Sequence, residues 1–392
     1  MTSESYIKSK EAPFPLFQII LGNSDEQLRN LNTDLGLALS LDELKTIKAY
    51  FRRVRRNPTD VELQTFGQTW SEHCFHKTFK GEVVSPEGQI LARDLFSTFI
   101  ARPVKELKPR WCLGTFRDNA GIVLFEKRKD AVYGLAMKVE THNHPSAVEP
   151  FGGAATGTGG VIRDILAVWA KPIACTDVLC FGPLNFKKED LPKGINHPTY
   201  IFDGVVAGIG AYGNNMGIPT VNGATLFDES YVGNVVVYCG CVGVLPMNRF
   251  VRETKPGDLV LLAGGKTGRD GIHGVTFAST ELAENSEVRS LSAVQVPNPI
   301  EEEKLKRAIL EIRDRKLASG ITDLGGGGSL LRGWRDGLQI RLRRQHRTRI
   351  HSPEGDVPSD GALGNLGLRV SGENAAVSST SKTTSSIRCI RE

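Results

Sequence analysis

The sequence predicts an α+β fold, because its helices and strands alternate too irregularly for a doubly wound sheet. Within residues 40–56 the apolar side chains recur at helical spacing, at Leu41, Leu44, Ile47 and Phe51. Three apolar runs are typical of strands, at residues 130–140, 233–244 and 257–263. A further helix is predicted over residues 301–316.

Composition indicates a soluble globular protein with room for two domains. The chain has 392 residues, of which 40% are hydrophobic and 24% charged. Neither a membrane-spanning run nor an apolar signal segment is visible, so we expect no membrane association and no secretion. The seven cysteines lack disulfide or zinc-ribbon spacing, and Cys239 and Cys241 are expected to be buried thiols in a strand. A cytoplasmic location follows as an expectation.

The net charge of +5 resides entirely in the last part of the chain. Residues 329–392 hold 11 of the 49 basic and 6 of the 44 acidic residues, so residues 1–328 are neutral overall. This distribution gives no basic stripe for nucleic acid. The same segment has ten Arg but one Lys, is rich in Ser and Gly and has no periodicity, so it is predicted to be disordered.

Helix signals also precede the first polar motif. Thr59 and Glu62 have the spacing of a capping box, which predicts a second helix running through VELQTFGQTW toward His73. The motif WSEHCFHKTFK then combines several polar side chains at the end of that helix. A thiol nucleophile at Cys74 is disfavoured, since it and His73 are sequence neighbours and neighbours on a helix do not face each other.

The densest polar cluster is KVETHNHPSAVEPFGGAATGTGGVIRD, residues 138–164. Its glycines predict a loop that opens a helix at residues 153–170. Such a loop, with a lysine and carboxylates nearby, suits a phosphorylated ligand and Mg²⁺. His142 and His144 could instead form a transition-metal pair, a weak signal without further ligands, and the segment could be a simple turn.

Two later glycine-rich motifs are less specific. GGKTGRDGIHG is not a phosphate-binding P-loop, because Val260 stands where its first glycine is needed. It predicts a glycine-rich turn after the strand at LVLLAG. In TDLGGGG, Asp323 precedes four glycines and suits a metal carboxylate beside a phosphate.

Together these motifs resemble those of the synthetase subunit (PurL) of phosphoribosylformylglycinamidine synthase. The resemblance covers residues 57–328 and includes WSEHC, KVETHNHPSAVEP, the loop ending in IRD, DGIHG, VQVPNP and DLGGGG in order. It implies the fold of aminoimidazole ribonucleotide synthetase (PurM-like). The expected organisation is a helical or linker segment at 1–56, an N-terminal domain at 57–245, a partial C-terminal-type domain at 246–328 and a non-native tail at 329–392.

The resemblance also implies roles for individual residues. His73 and His142 match catalytic histidines, the second a proton acceptor. Lys138 matches an ATP ligand, and His76 stands where some members have an ATP-contacting Tyr. The matches to magnesium ligands are Glu140, Asp164 and Asp323, and those to substrate contacts are Thr141, His142, Asn143, His144, Arg163 and Gln295.

The activity that the resemblance implies is ATP-dependent amidation in purine biosynthesis. ATP with Mg²⁺ would phosphorylate the amide oxygen of formylglycinamide ribonucleotide, and ammonia would displace phosphate from the iminophosphate. Ammonia would come from a glutaminase (PurQ-like) subunit or domain, with a small PurS-like subunit as a further partner. Two alternatives stay open: an inactive fragment that keeps partial nucleotide or Mg²⁺ binding, and a basic tail that binds nucleic acid.

The tail has the properties of a shifted reading frame. When Ser329–Gly337 are written as codons with free third bases and read one base later, they permit Leu-Ser-Cys-Val-Val-Gly-Glu-Met, which is typical of the family. The same offset across residues 360–376 permits a second family-like segment. We therefore expect a frame change near Gly328, and with it the loss of the second half of the synthetase, which in this family packs on the first half.

Overall fold

The computed structural model describes residues 6–8, 17–116, 118–256, 258–265, 271, 273–280, 291–325 and 340–342. The chain forms two compact units. Unit 1 comprises Met1–Pro109, Asp270–Gln295 and Leu324–Arg335, and unit 2 comprises Arg110–Arg269, Val296–Asp323 and Asp336–Glu392.

Helices dominate the described part of unit 1. They are α1 (Asp25–Asp34), α2 (Leu41–Arg53), α3 (Asp60–Thr69), α4 (Glu72–Phe75), α5 (Arg102–Leu107) and α9 (Gly274–Phe277). Two antiparallel hairpins accompany them, β1 (Tyr6–Lys8) with β2 (Phe17–Ile19) and β3 (Val83–Val84) with β4 (Ile90–Ala92).

The first three helices each begin with a capping box. Ser24, Ser40 and Thr59 accept hydrogen bonds from backbone N–H groups three residues on, and Gln27, Glu43 and Glu62 return them. The predicted helix at 40–56 and the predicted capping box at Thr59 are thereby confirmed. Leu44, Ile47 and Phe51 of α2 lie in the core of this unit.

The second predicted helix is shorter than expected. It ends at Thr69, and Ser71 caps a separate turn, α4, by accepting a hydrogen bond from the Cys74 N–H at 3.1 Å. Ser and Thr favour this interruption because their hydroxyls satisfy the free N–H groups of a new helix start.

A six-stranded sheet organises unit 2. Its strands are β5 (Cys112–Gly114), β6 (Gly121–Lys127), β7 (Val132–Thr141), β8 (Lys171–Phe181), β9 (Thr220–Phe227) and β10 (Val236–Pro246). The spatial order is β5-β6-β7-β10-β8-β9, and every neighbouring pair is antiparallel except β8 with β9. The strands predicted at 130–140 and 233–244 correspond to β7 and β10, and the α+β prediction is confirmed.

Helices cover one face of this sheet. They are α6 (Asn143–Val148), α7 (Pro150–Leu166) and α8 (Pro198–Met216). Helix α10 (Pro299–Asp314), which corresponds to the helix predicted at 301–316, packs against α7 and α8. The core between helices and sheet contains Ile162, Ile165 and both predicted buried thiols. Burial raises the pKa of Cys239 to about 12, as expected for an inert thiol.

A smaller antiparallel sheet completes the described part of unit 2. Its strands are β11 (Leu259–Leu261), β12 (Ala318–Gly320) and β13 (Ile340–Leu342), with β13 in the centre. The strand predicted at 257–263 is therefore present but shorter. Apart from β13, the tail predicted to be disordered lies outside the described residues.

Candidate functional site

The glycine-rich segment predicted as a loop opening a helix at residues 153–170 is helical as far as Leu166, and the prediction of a loop at its glycines is wrong. Gly153, Gly157 and Gly159 all lie inside α7. Their N–H groups therefore belong to the helix ladder instead of facing a phosphate. The glycines have a packing role: a Cβ on Gly153 would lie 2.4 Å from the Ser146 backbone nitrogen, and one on Gly159 would lie 2.5 Å from the Tyr212 hydroxyl.

Lys138 connects β7 to α7 through two carboxylates. Its Nζ lies 2.5 Å from Glu140 Oε1 and 3.4 Å from Asp164 Oδ2. Burial alone would lower the pKa of Lys138, but the charges of Asp164 and Glu140 outweigh burial and raise it. Lys138 is therefore fully cationic between two acids that the family resemblance assigns to a metal.

His142 lies between the end of β7 and the start of α6. Its backbone N–H donates to the Val237 carbonyl at 2.8 Å, and its ring Nδ1 is hydrogen-bonded to the Gly153 carbonyl oxygen of α7. A carbonyl can only accept, so Nδ1 carries a proton, and Nε2 is then the basic nitrogen in the neutral form of the ring.

The next residue anchors this turn to the sheet. The Asn143 side-chain oxygen accepts from the Val237 N–H at 2.7 Å, so β10 holds both residues. Thr141 ends β7, and His144 lies in the first turn of α6. The predicted segment of residues 141–144 thus runs from the last residue of β7 into the first turn of α6.

Arg163 lies on the last part of α7 between two further acids. Its Nη1 donates to Glu302 Oε2 at 3.5 Å, and its Nε lies 4.0 Å from Asp323 Oδ2. The Asn119 side-chain amide donates to Asp323 Oδ1 at 3.0 Å. The structure therefore brings two predicted site residues together, the substrate contact Arg163 and the metal ligand Asp323.

Three residues of this cluster were missed by the sequence reasoning. Glu302 sits in the acidic run EEE, which is typical of a solvated helix start, and its burial is visible only in the structure. Tyr212 donates its hydroxyl to Glu302 Oε2 at 2.5 Å, and Asn119 precedes β6. The sequence signals are weak: Asn119 lies in the short motif DNAG, and Tyr212 is an isolated aromatic residue in a glycine-rich helix.

The remaining predicted residues lie in unit 1. The Sγ of Cys74 lies 3.5 Å from Nδ1 of His73, so these neighbours do approach each other, contrary to the expectation from helix geometry. The helix is a single turn of four residues, Glu72–Phe75, so the geometry of a long helix does not apply to this pair. Glu72 accepts hydrogen bonds from the Thr78 N–H at 3.2 Å and hydroxyl at 3.1 Å.

His76 and Gln295 are also placed by local geometry. His76 has φ +55° and ends α4 in the left-handed conformation. The Gln295 side chain packs over Gly271, where a Cβ would lie 2.6 Å from its Cγ. A backbone φ of +76° at Gly271 also favours glycine.

Among the described residues, no group of three or more His, Cys, Asp or Glu side chains is arranged to hold a metal ion. The three predicted ligands instead lie beside two basic side chains, Glu140 and Asp164 at Lys138, and Asp323 at Arg163. Nor does any described helix have the length and apolarity needed to cross a bilayer.

Family models assign this architecture to a class. The AIR synthase related protein N-terminal domain matches residues 117–245, and the corresponding C-terminal domain matches residues 255–331. The formylglycinamide ribonucleotide amidotransferase linker domain matches residues 28–77. The chain is thus an AIR-synthase-related protein preceded by an amidotransferase linker.

Individual relatives point to one subunit within the class of AIR-synthase-related proteins. The chain is 44% identical over 306 residues to phosphoribosylformylglycinamidine synthase subunit PurL of Thermoplasma acidophilum, covering 78% of this chain and 37% of the relative. It is 48% identical over 275 residues to the same subunit of Methanobrevibacter smithii, covering 70% of this chain and 34% of the relative. The chain therefore spans little more than a third of the length of these relatives.

Solved structures support the same family assignment as the sequence relatives. The structure described as T. maritima PurL complexed with FGAR matches with a TM-score of 0.55 and 35% identity, covering 74% of this chain and 40% of that one. The structure of T. maritima PurL complexed with ATP matches with a TM-score of 0.51 and 33% identity, covering 73% and 38%. The chain belongs to the PurL family, which confirms the resemblance and the PurM-like fold.

Proposed function

We propose that this chain is the amino-terminal part of a synthetase that converts formylglycinamide ribonucleotide into formylglycinamidine ribonucleotide, using ATP and ammonia in purine biosynthesis. The observation that carries the proposal is the Lys138 cluster, in which a half-buried ammonium lies between two carboxylates at the end of β7, shortly before His142. Solved relatives bound to FGAR and to ATP support it.

Lys138 is suited to the phosphates of ATP. In this structure the Lys138 ammonium forms ion pairs with Glu140 and Asp164, and these carboxylates hold the side chain near the end of β7. Transfer of the ammonium to a phosphate oxygen would release both carboxylates. A lysine at this position then neutralises charge on the transferred phosphoryl group.

The donor chemistry of Glu140, Asp164 and Asp323 fits Mg²⁺, which prefers oxygen ligands and takes only one or two carboxylates beside nucleotide phosphates. Such a site needs no preformed cluster of three protein ligands. Asp323 is positioned for this role by the Asn119 amide. When bound, Mg²⁺ would supply positive charge that offsets the charge on the nucleotide phosphates.

His142 is suited to accept a proton. Because its Nδ1–H is fixed on the Gly153 carbonyl, Nε2 is the ring nitrogen that would act as a base on the ammonia that attacks the substrate. The adjacent Asn143 locks the turn on β10, so the ring is held by sheet and helix together.

The reaction requires a source of ammonia. We propose a PurQ-like glutaminase as the source of ammonia and a PurS-like subunit as an additional component. The sheet face opposite the helices is apolar and exposed among the described residues, with Met137, Val139 and Leu226 between 44% and 53% exposed. This face supports the expectation that the remaining part of a synthetase covers it.

Turnover of the purified full chain tests the proposal. ATP, Mg²⁺, formylglycinamide ribonucleotide and ammonium chloride should together release ADP, and omission of the ribonucleotide should abolish release. His142→Asn should lower the rate by about a hundredfold or more, the usual contribution of a positioned proton acceptor. His197→Asn is the matched control, because His197 caps α8 in the same unit and Asn is also a good cap.

The alternative to the synthetase is an inactive fragment that retains nucleotide or Mg²⁺ binding. The chain spans 37% of the length of the first relative. Saturable ATP binding without ADP release would establish the fragment and contradict the synthetase. Robust turnover of the isolated chain would exclude the fragment.

A further inference from the structure

Glu302 is a buried carboxylate in the first turn of α10. Its residue exposure is 5%. One oxygen, Oε2, accepts from the Tyr212 hydroxyl at 2.5 Å and from Arg163 Nη1 at 3.5 Å. The other oxygen, Oε1, is buried without a hydrogen-bond partner among the described residues.

This arrangement is costly for a purely structural residue. Burial raises the pKa of Glu302, although the Arg163 charge and the Tyr212 hydroxyl act in the opposite direction. A buried ion pair is often no more stabilising than well-packed apolar side chains of similar volume. The carboxylate is therefore better explained by what it does to Arg163 than by its contribution to stability.

The contacts orient Arg163 without saturating it. Its distances to Glu302 and Asp323, 3.5 and 4.0 Å, exceed the roughly 2.7–2.9 Å of a tight charge-assisted hydrogen bond. The guanidinium has five N–H donors in a planar fork, and its side chain is 31% exposed. It can therefore turn its open edge to a phosphate-bearing ligand while two acids fix its plane.

Tyr212 supports Glu302 from α8. Its hydroxyl reaches the carboxylate by passing over the α7 backbone at Gly159, where a Cβ would lie 2.5 Å from that hydroxyl. The approach is thus built into the packing of α7 against α8. Three helices meet at one carboxylate oxygen.

We propose that Glu302, supported by Tyr212, is a positioning residue that orients the Arg163 guanidinium toward the ribonucleotide substrate. This inference rests on the proposed function, because it takes Arg163 as the substrate contact. Glu302 itself does not touch the substrate. Its effect passes entirely through Arg163.

Binding titrations of formylglycinamide ribonucleotide to the full chain test the inference. Glu302→Gln should weaken binding by about tenfold or more, because the oriented charge is lost, and ATP binding should stay unchanged. Tyr212→Phe, which preserves volume, should give a smaller loss of the same kind. Glu311→Gln is the matched control, since Glu311 lies on the same helix and pairs with Arg315 at the surface.

A double-mutant cycle separates positioning from any other role. In an Arg163→Ala background, Glu302→Gln should cause no further loss of ribonucleotide affinity. An equal loss in both backgrounds, or none in the wild-type background, would overturn the inference. Loss of ATP affinity in parallel with ribonucleotide affinity would also overturn it, because general loosening of the fold predicts that pattern.

A readout without ligand keeps the inference testable if the proposed function fails. If the wild-type chain binds no ribonucleotide, the proposed function is refuted. The Arg163 Nε–H resonance, assigned in ¹⁵N-arginine-labelled protein by its absence in Arg163→Lys, then decides the role of Glu302. Glu302→Gln should increase side-chain mobility at Arg163, and an unchanged order parameter would refute positioning.

Discussion

Replacing Gly153 by alanine tests whether the glycines of α7 exist for close packing. The added Cβ would lie 2.4 Å from the Ser146 nitrogen, 2.5 Å from the Pro145 carbonyl carbon and 2.7 Å from the Ser146 Cα. All three are backbone atoms of α6, which cannot rotate away as a side chain could. Either α6 or α7 must move.

Two effects of opposite sign determine how much Gly153→Ala changes the free energy of unfolding. Alanine is favoured over glycine inside a helix by about 1 kcal/mol. Overpacking costs about 1–3 kcal/mol, and contact with backbone at this distance lies at the upper end. We expect Gly153→Ala to lower the free energy of unfolding by about 1–2 kcal/mol, the difference between these terms.

Gly210 of α8 is the matched control. Nothing lies within 4 Å of a Cβ there, so Gly210→Ala should raise the free energy of unfolding by about 0.5–1 kcal/mol. Urea unfolding followed by circular dichroism measures both variants. A Gly153→Ala variant as stable as wild type, or stabilised like Gly210→Ala, would refute the packing role.

Three further predictions concern other parts of the molecule. Thr59→Ala removes the cap of α3 and should lower the stability of unit 1 by about 1 kcal/mol in urea unfolding, whereas Thr65→Ala on the same helix should have little effect; equal losses would contradict the capping argument. Burial raises the pKa of Asp177 in the folded state above its ordinary 3.8, so the folded chain binds a proton at this carboxylate more readily than the unfolded chain. Stability therefore falls as pH rises through the interval between 3.8 and the raised pKa of the folded state. Asp177→Asn should therefore be more stable than wild type at neutral pH and lose this advantage below the interval, with Asp190→Asn as an exposed control; an advantage independent of pH would count against burial as the cause. Sequencing of the coding DNA around Gly328 should reveal a one-base shift that restores a family-like open frame, and the hypothesis fails if neither one-base shift does so.

Local signals predicted most of the elements because they are local in origin. The capping box at Thr59 and the apolar spacing of α2 each involve residues within one or two turns. The glycines of α7 were predicted incorrectly because local propensity favours a loop, while the helix is stabilised by packing against α6 and α8. That contact joins residues whose proximity the sequence does not display.

The residues of the candidate site show the same distinction between local sequence signals and long-range contacts. Lys138, Glu140 and His142 could be predicted because they follow one another at the end of a strand. Glu302 could not, since it meets Arg163 across 139 residues of sequence. An acidic residue in a charged run is usually solvated, so only tertiary structure distinguishes the buried Glu302 from its half-buried neighbours in the run.

Helix α7 links the two parts of the site in unit 2 through consecutive residues. Asp164 meets Lys138 from the sheet, whereas Arg163 meets Glu302 from α10. Because successive residues of a helix project about 100° apart, one turn presents charges to both neighbours at once. The glycines of the same helix allow His142 and Tyr212 to approach its backbone. A shift of α7 would therefore disturb the proton acceptor, the lysine cluster and the arginine together, and this shared dependence requires small residues where the helix meets its neighbours.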